Sequence, residues 1–442
     1  MRRTNLASTT FVILLVSLSY ALPVRGDLAS ATKAYQAQQY TEAYQQFKTL
    51  ATLGNVDALY NLAVMNLHGQ GREQNLNKAF SYFVLAGDYG LSAADNHARL
   101  IAQQLEHNPE HSEIFTQLAH QFDIREHNRR LGFENSDLGN TSTLSTTYQV
   151  QPNYPSHAIE KGIEGWVWAE FDIDASGAVK NTVVIDAYPP HVFEESVLAA
   201  LKRWRYVPPE SQNARRGRSL LYHFNTHKGE RYRQSFTSQQ RLYAEEISAL
   251  VEAAEQGQSD IQYRIATWLS SEQYNVSQLL KAHWPDNDAN ITLLRASAQN
   301  NNAKAQYRLA KKLLNNSDPR TRQIGLNWLR VAANNQLSPA QWTLSLHTTN
   351  SERKMWLKRS AKQGHLRAQI DLVQLLLEEP KSAEQDITFW LNQAQQQDST
   401  HPDLLWAQAL FNKHRGQPYQ QLMSQARQQA QSRGWSEAAY QD

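Results

Sequence analysis

The sequence predicts an α+β module set between two all-α repeat, or solenoid, regions. Three observations carry this. Between Gln151 and Pro209 a strand alternation, a hairpin turn and an amphipathic helix follow one another in short order, the pattern of a compact mixed domain. On the N-terminal side, alanines and glycines are spaced as in paired helices. On the C-terminal side, a block joining an alanine to a downstream glutamine and its large apolar or aromatic neighbour recurs: Ala254 with Gln262-Tyr263, Ala298 with Gln306-Tyr307, Ala333 with Gln341-Trp342, Ala361 with Gln369-Ile370.

The module's elements follow from period and turn chemistry. Along Gly165 to Ile173, residues Val167, Ala169, Phe171 and Ile173 share one face by period two and are expected in the core. Trp166, Trp168, Glu170 and Asp172 share the other, a mixture suited to half-cover by a helix or a partner. Asp174 to Gly177 supplies a hairpin loop in which Gly177 takes a positive φ. Val179 to Ile185 returns as an antiparallel strand, ended by Tyr188-Pro189-Pro190 because proline donates nothing to a ladder. From His191 to Tyr206 the stripe Phe193, Val197, Leu201 and Trp204 predicts a helix packed on the hairpin and stopped by Pro208-Pro209. A basic loop (Ser211 to Arg218) leads to a third strand, Ser219 to Asn225, whose outer edge is expected to be unpaired.

These residues resemble the C-terminal domain of the TonB family, the bacterial inner-membrane proteins that drive uptake through outer-membrane receptors. The matching features stand in order: Gln151-Pro152-Asn153-Tyr154-Pro155, Ile163-Glu164-Gly165, Phe171-Asp172-Ile173 with Gly177, Phe193-Glu194 with Val197, and Trp204-Arg205-Tyr206 with Pro208. The resemblance covers about a sixth of the chain, within one domain-sized stretch. It implies a two-helix, three-stranded antiparallel domain over residues 150–228. It also implies that the extended N-terminal segment of a TonB-dependent outer-membrane receptor adds as a strand, with Leu220, Leu221, Tyr222, His223, Phe224 and Asn225 as template. Gln151, Tyr154 and Pro155 carry over by position beside that edge. Inner-membrane proton-motive partners are implied as well, although the family's histidine in its N-terminal helix has no counterpart before His68, the proline-rich spacer is missing, and the module lies mid-chain.

Residues 27–130 read as helical repeats. Ala34-Tyr35, Tyr40, Ala43-Tyr44 and Phe47 suit two short antiparallel helices, and the spacing from Gly54 through Gly90 is similar to Sel-type relatives of tetratricopeptide repeats. Residues 131–149, rich in Ser, Thr, Asn and Gly, read as a linker, and residues 229–442 as an irregular α-solenoid. Residues 1–26 have the layout of a secretory signal: Arg2 and Arg3, an apolar run from Phe11 to Ala21, then small residues. A periplasmic location is expected, with a retained inner-membrane anchor as the competing reading.

Composition narrows the function. The 442 residues exceed one core, the net charge of +2 leaves no nucleic-acid footprint, and the absence of cysteine excludes disulfides, thiolate metal sites and cysteine nucleophiles. His107, His111, Glu113, His120, Glu126 and His127 are the densest potential metal ligands, but exposed helical histidines need no metal. Lys202, Arg203, Arg205, Arg215, Arg216 and Arg218 are expected as a solvated basic face, and the tryptophans of the repeats as core. No nucleophile elbow, phosphate loop or HExxH occurs, so neither an enzyme nor a cofactor is expected. Two classes remain: a transport component that captures a receptor segment, and a soluble periplasmic scaffold whose repeats bind partners on their concave faces.

Overall fold

The computed structural model describes residues 26–105, 112–132, 145–208, 215–226, 247–379 and 384–441. The apolar signal run lies outside them, and no described helix is long and apolar enough to cross a membrane.

The N-terminal region is a stack of short helices, α1 (Leu28–Gln36), α2 (Tyr40–Ala51), α3 (Val56–His68), α4 (Leu76–Asp88), α5 (Ser92–Ala102), α6 (Glu113–Phe122) and α7 (Ile124–Leu131). Asp27, Asn55 and Asn75 accept hydrogen bonds from first-turn amides and so start α1, α3 and α4. Phe47, Leu59, Leu62 and Phe83 close a core in which small alanines let the paired helices approach.

The central module comprises β1 (Thr146–Tyr148), α8 (Ser156–Glu160), β2 (Gly165–Ile173), β3 (Val179–Tyr188), α9 (Glu194–Leu201), β4 (Arg205–Tyr206) and β5 (Arg218–Phe224). An antiparallel sheet of order β3-β2-β5 is accompanied by a two-stranded β1-β4 ribbon. Gly177 has φ +86°, and a Cβ there would meet the Tyr206 carbonyl oxygen at 2.0 Å, so this turn admits only glycine. Phe193, Val197, Leu201 and Trp204 are all buried against Val167, Ala169 and Phe171, as the stripe predicts. The helix itself is shorter than the stripe: it ends at Leu201, because Arg205–Tyr206 is recruited as a strand by Thr146–Tyr148, inside the stretch read as linker. The Trp204 Nε1 donates to Val150 O at 2.8 Å and fixes that corner.

The C-terminal region runs from a helix at residues 247–255 (α10) through α11 (Ser259–Leu269), α12 (Asn275–Leu280), α13 (Ala289–Gln299), α14 (Ala303–Leu314), α15 (Pro319–Asn334), α16 (Ser338–Ser345), α17 (Asn350–Lys362), α18 (Leu366–Glu378), α19 (Glu384–Gln397), α20 (Pro402–His414) and α21 (Gln420–Ser432) to a 3₁₀ turn, Glu437–Tyr440. The recurring glutamines have one structural role. In each repeat the side-chain Nε2 reaches back eight residues to the carbonyl of the paired alanine: Gln262 to Ala254 (2.8 Å), Gln306 to Ala298 (3.0 Å), Gln341 to Ala333 (3.0 Å) and Gln369 to Ala361 (3.2 Å). Each of these carbonyls at a helix end also accepts from the amide three residues on, and so gains a second donor from the first turns of the next helix. Three residues after each alanine the chain takes a left-handed conformation, at Gly257, Asn301, Gln336 and Gly364.

The two helical regions touch. Asp27 accepts from Ser259 N (2.9 Å), Asn55 Nδ2 donates to Asn300 Oδ1 (2.6 Å), and Trp328 Nε1 donates to Leu131 O (2.9 Å).

Candidate functional site

Strand β5 lies on the edge of the sheet. Its register places His223 opposite Trp166 and Tyr222 opposite Val167, so successive side chains go to opposite faces. Leu220, Tyr222 and Phe224 pack into the module's own core. Leu221 packs with the C-terminal repeats, and His223 shares a hydrogen bond with Tyr274 there (Nδ1 to hydroxyl, 2.7 Å). The Tyr274 hydroxyl donates its proton to Gly165 O at 2.7 Å, so the His223 Nδ1 carries the hydrogen of that shared bond. Burial, with Arg308 adding to it, pushes the His223 pKa down to about 4. Asn225 Nδ2 donates to Gln273 Oε1 at 3.1 Å. Among the described residues no other strand pairs with β5.

The family-motif residues gather beside this strand. Tyr222 donates from its hydroxyl to Gln151 Oε1 at 2.7 Å, with Gln151 exposed. Tyr154 sets its ring edge-on to Phe224 (5.4 Å) and Phe193 (5.6 Å), and its hydroxyl donates to Ile163 O at 2.6 Å. Pro155 is the N-cap of α8. Sequence reasoning missed Glu164, whose Oε1 accepts from Thr226 N (2.8 Å) and whose Oε2 accepts from Asn275 N (3.0 Å). That carboxylate ties the end of β5 to the start of α12. The Ile163-Glu164-Gly165 motif marked the residue, but its partner is more than a hundred positions away.

The opposite face of the sheet is not half-covered. Every residue of β2 is buried, because the inner helices of the solenoid lie across it. Alternate side chains of β2 meet α11, α14 and α18 in turn. Trp166 sits edge-on to Trp268 of α11 (6.1 Å), and Trp168 packs on Tyr307 of α14 (5.3 Å). The Glu170 Oε1 accepts from Tyr307 (2.7 Å) and from Lys311 Nζ (2.9 Å). Asp172 pairs with Arg367 of α18 and accepts from Gly217 N (2.8 Å). Asp174, in the hairpin, accepts from Ser436 N (2.6 Å). Burial alone would raise the carboxyls of Glu170 and Asp172. Lys311 and Arg367 outweigh it at Glu170, and Arg367 and Arg216 at Asp172, so both stay below the usual carboxylate range.

Burial bears on two further sets of residues. Arg216 does not belong to a solvated basic face: its Nη2 pairs with Asp371 at 2.5 Å and its guanidinium lies over Trp342. Lys202 and Arg203 are exposed. Of the histidine cluster, His107 and His111 lie outside the described residues. His127 is buried, with its ring against Tyr89 and Phe122. Among the described residues no group of His, Asp and Glu is placed to hold a metal ion.

With this geometry in view, comparison with known proteins places each part. Residues 150–225 match the family described as Gram-negative bacterial TonB protein C-terminal. The central module belongs to the TonB C-terminal family. Residues 56–90, 303–337 and 354–365 match the Sel1 repeat, which puts Sel1 units on both sides of the TonB module. Protein TonB of Escherichia coli is 43% identical over 58 residues, 13% of this chain and 24% of that protein. Protein TonB of Klebsiella pneumoniae is 41% identical over 58 residues, with the same shares. Protein TonB of Pseudomonas aeruginosa is 32% identical over 69 residues, 16% of this chain and 20% of that protein. The chain thus spans about a quarter of the length of the TonB proteins it matches. A solved structure, a protective antigen present in uropathogenic Escherichia coli strains displaying an SLR fold, aligns at 15% identity and TM-score 0.31, covering 91% of this chain and 77% of that one.

Proposed function

We propose that this is a TonB-family protein of the periplasm that takes up an extended segment of an outer-membrane receptor as an added strand on the outer edge of β5. The observation that supports the reading is that Arg218–Phe224 ends the strand order of the sheet, with no second strand paired to it among the described residues, in a module that matches the TonB C-terminal family. An edge strand presents unpaired N–H and C=O groups, so backbone pairing supplies the affinity. The side chains of Leu220, Tyr222 and Phe224 turn inward, and Gln151 and Asn225 stand nearest the edge to contribute selection. Export by residues 1–26 supplies the compartment, and this reading includes no catalytic step.

The test uses the full chain, with Tyr222→Pro and His223→Pro. Donors of adjacent residues point to opposite edges, so one proline removes an outward N–H and the other breaks the bond to β2. The expected outcome is one folded variant that no longer binds synthetic peptides from receptor N-terminal segments, and one destabilised variant. Full affinity in two folded variants would sink strand addition at this edge.

A second reading, a periplasmic adaptor working through its repeats, draws support from the Sel1 units on both sides of the module. The module's sheet covers the side of α11, α14 and α18 that faces it, so partners of an adaptor would meet the N-terminal unit. Loss of partner capture on altering exposed residues of α5, such as Leu100, with peptide binding intact, would favour it.

A further inference from the structure

The C-terminal repeats carry a basic face that neither reading above uses. Helix α17 has Arg353, Lys354, Lys358, Arg359 and Lys362 against one carboxylate, Glu352. The next helix, α18, meets the sheet through Arg367 and Asp172, while α17 and α19 pack on α18 and turn their remaining faces to solvent. Lys358, Arg359 and Lys362 share one exposed face with Met355, since residues three and four apart are neighbours on a helix. Nearby cations are matched: Arg330 by Glu352 (3.1 Å), Lys354 by Glu379 (2.5 Å) and Arg415 by Glu384 (3.1 Å). Lys358 and Lys362 make no ion pair or hydrogen bond among the described residues, and Arg359 has only the Trp356 ring beneath it (4.8 Å).

A second, independent observation is apolar. Of the five large apolar side chains that stand exposed among the described residues, two are here: Phe389 of α19 (53%) and Met355 (37%). Between α17 and α19 runs a shallow groove of about 380 Å3, with Lys358 and Lys362 on one side, Phe389 and Trp390 on the other, and Asp386 as its one carboxylate. Unmatched cations and protruding apolar groups therefore share one continuous surface. That volume lies near the lower bound for even a small ligand, so the groove takes a single headgroup and not an extended chain segment. A bilayer meets the surface on both counts: anionic headgroups match the cations, and the headgroup boundary accepts an aromatic ring and a thioether that water does not favour. The long lysine stems can lie along apolar surface while their ammonium groups stay at the phosphates.

We propose that the face formed by α17 and α19 docks on an anionic lipid bilayer, with Lys358, Arg359 and Lys362 at the headgroup phosphates and Phe389 and Met355 entering the headgroup boundary. The contact is peripheral and reversible, because it inserts two side chains and no helix. It uses no residue of the TonB module and does not depend on strand addition at β5.

The experiment is flotation of the full chain with vesicles of phosphatidylcholine alone and of phosphatidylcholine and phosphatidylglycerol in equal parts. Stronger binding to the anionic vesicles is expected, and the excess should fall as salt is raised, because the charges involved are exposed. A retained apolar N-terminus would hold the chain to both vesicles alike and without regard to salt, so the excess reads this face. Lys358→Gln with Lys362→Gln should weaken the excess binding about tenfold. Phe389→Gln should weaken it severalfold, which a purely ionic contact would not show. All three side chains are exposed, so the melting transition should be kept. Equal binding to the two vesicles at every salt concentration, or undiminished binding in the folded variants, overturns the proposal. Capture of poly-glutamate in place of vesicles would also overturn it and assign the face to an acidic polypeptide.

Discussion

Glu170 has a side chain entirely enclosed between a strand and the repeats, and its charge is tolerable only because Lys311, Tyr307 and Arg367 surround it. Removing one partner of such a pair is worse than removing both, because the remaining charge keeps its desolvation cost without compensation. Lys311→Ala is therefore expected to cost about 3–5 kcal/mol. Lys311→Met with Glu170→Gln should recover much of that loss in denaturant titrations, and equal loss in single and double variants would contradict the pairing. Buried histidines set the pH response. Burial lowers His127, His223 and His365 from 6.5 to about 4. Between those values the unfolded chain binds protons that the folded chain refuses, so stability is flat above about pH 7 and falls as pH drops from 6.5 toward 4. Glu170 and Asp172 have the opposite assignment of charge but add to the same trend: their contribution is present above the ordinary carboxylate pKa and is lost as pH falls through the lowered folded values. Melting temperatures from pH 8 to pH 4 should show this, and His127→Gln with His223→Gln should flatten the upper part of the slope. An unchanged slope in that variant would put the acid sensitivity elsewhere.

At the scale of the element, the repeat unit is a helix end, a left-handed residue and a glutamine that reaches back over the turn. The left-handed position is glycine at 257 and 364 but Asn301 and Gln336 elsewhere. A side chain other than Gly or Asn is strained there. Gln336→Gly should therefore stabilise the chain by about 1 kcal/mol, read as a raised denaturation midpoint, whereas Gly364→Gln should do the reverse; no change in either would mean the turn is not under strain. The recurrence of alanine and glutamine was legible in the sequence because this bond is local, eight residues long. The stripe Phe193, Val197, Leu201 and Trp204 was equally legible as core. The end of α9 was not, since Arg205–Tyr206 becomes a strand only by pairing with Thr146–Tyr148, a partner more than fifty positions upstream with no apolar alternation of its own. The third strand could be expected from its own apolar residues, whereas Glu164, which ties the end of β5 to α12, acts through contacts that no local period records.

For the molecule as a whole, the decisive feature is that the TonB module lies with one sheet face on the inner helices of the solenoid. Trp166, Trp168, Glu170 and Asp172 read in sequence as a mixed, half-covered face because two aromatics and two carboxylates alternate with core residues. Their partners Trp268, Tyr307, Lys311 and Arg367 read as repeat core or solvated charge because each sits on an amphipathic helix of its own. Only the fold brings the two sets together, and it does so in sequence order along one strand. The module and the repeats should therefore form one cooperative unit. A fragment of residues 145–226 would expose both tryptophans and two carboxylates stripped of their cations, an apolar and unneutralised face that favours self-association. Its expected behaviour is oligomerisation in sedimentation and a broad melt below that of the full chain. Trp166→Thr with Trp168→Thr, which keeps strand propensity while removing the apolar surface, should return the fragment toward a monomer. In the full chain the same two changes should loosen the module from the repeats and lower the single transition by several kcal/mol, since each buried indole truncated to a small side chain costs about 3–5 kcal/mol. A monomeric, sharply melting fragment with both tryptophans in place would show instead that the module is complete without the solenoid. The covered face would then be a docking contact between two independently stable parts.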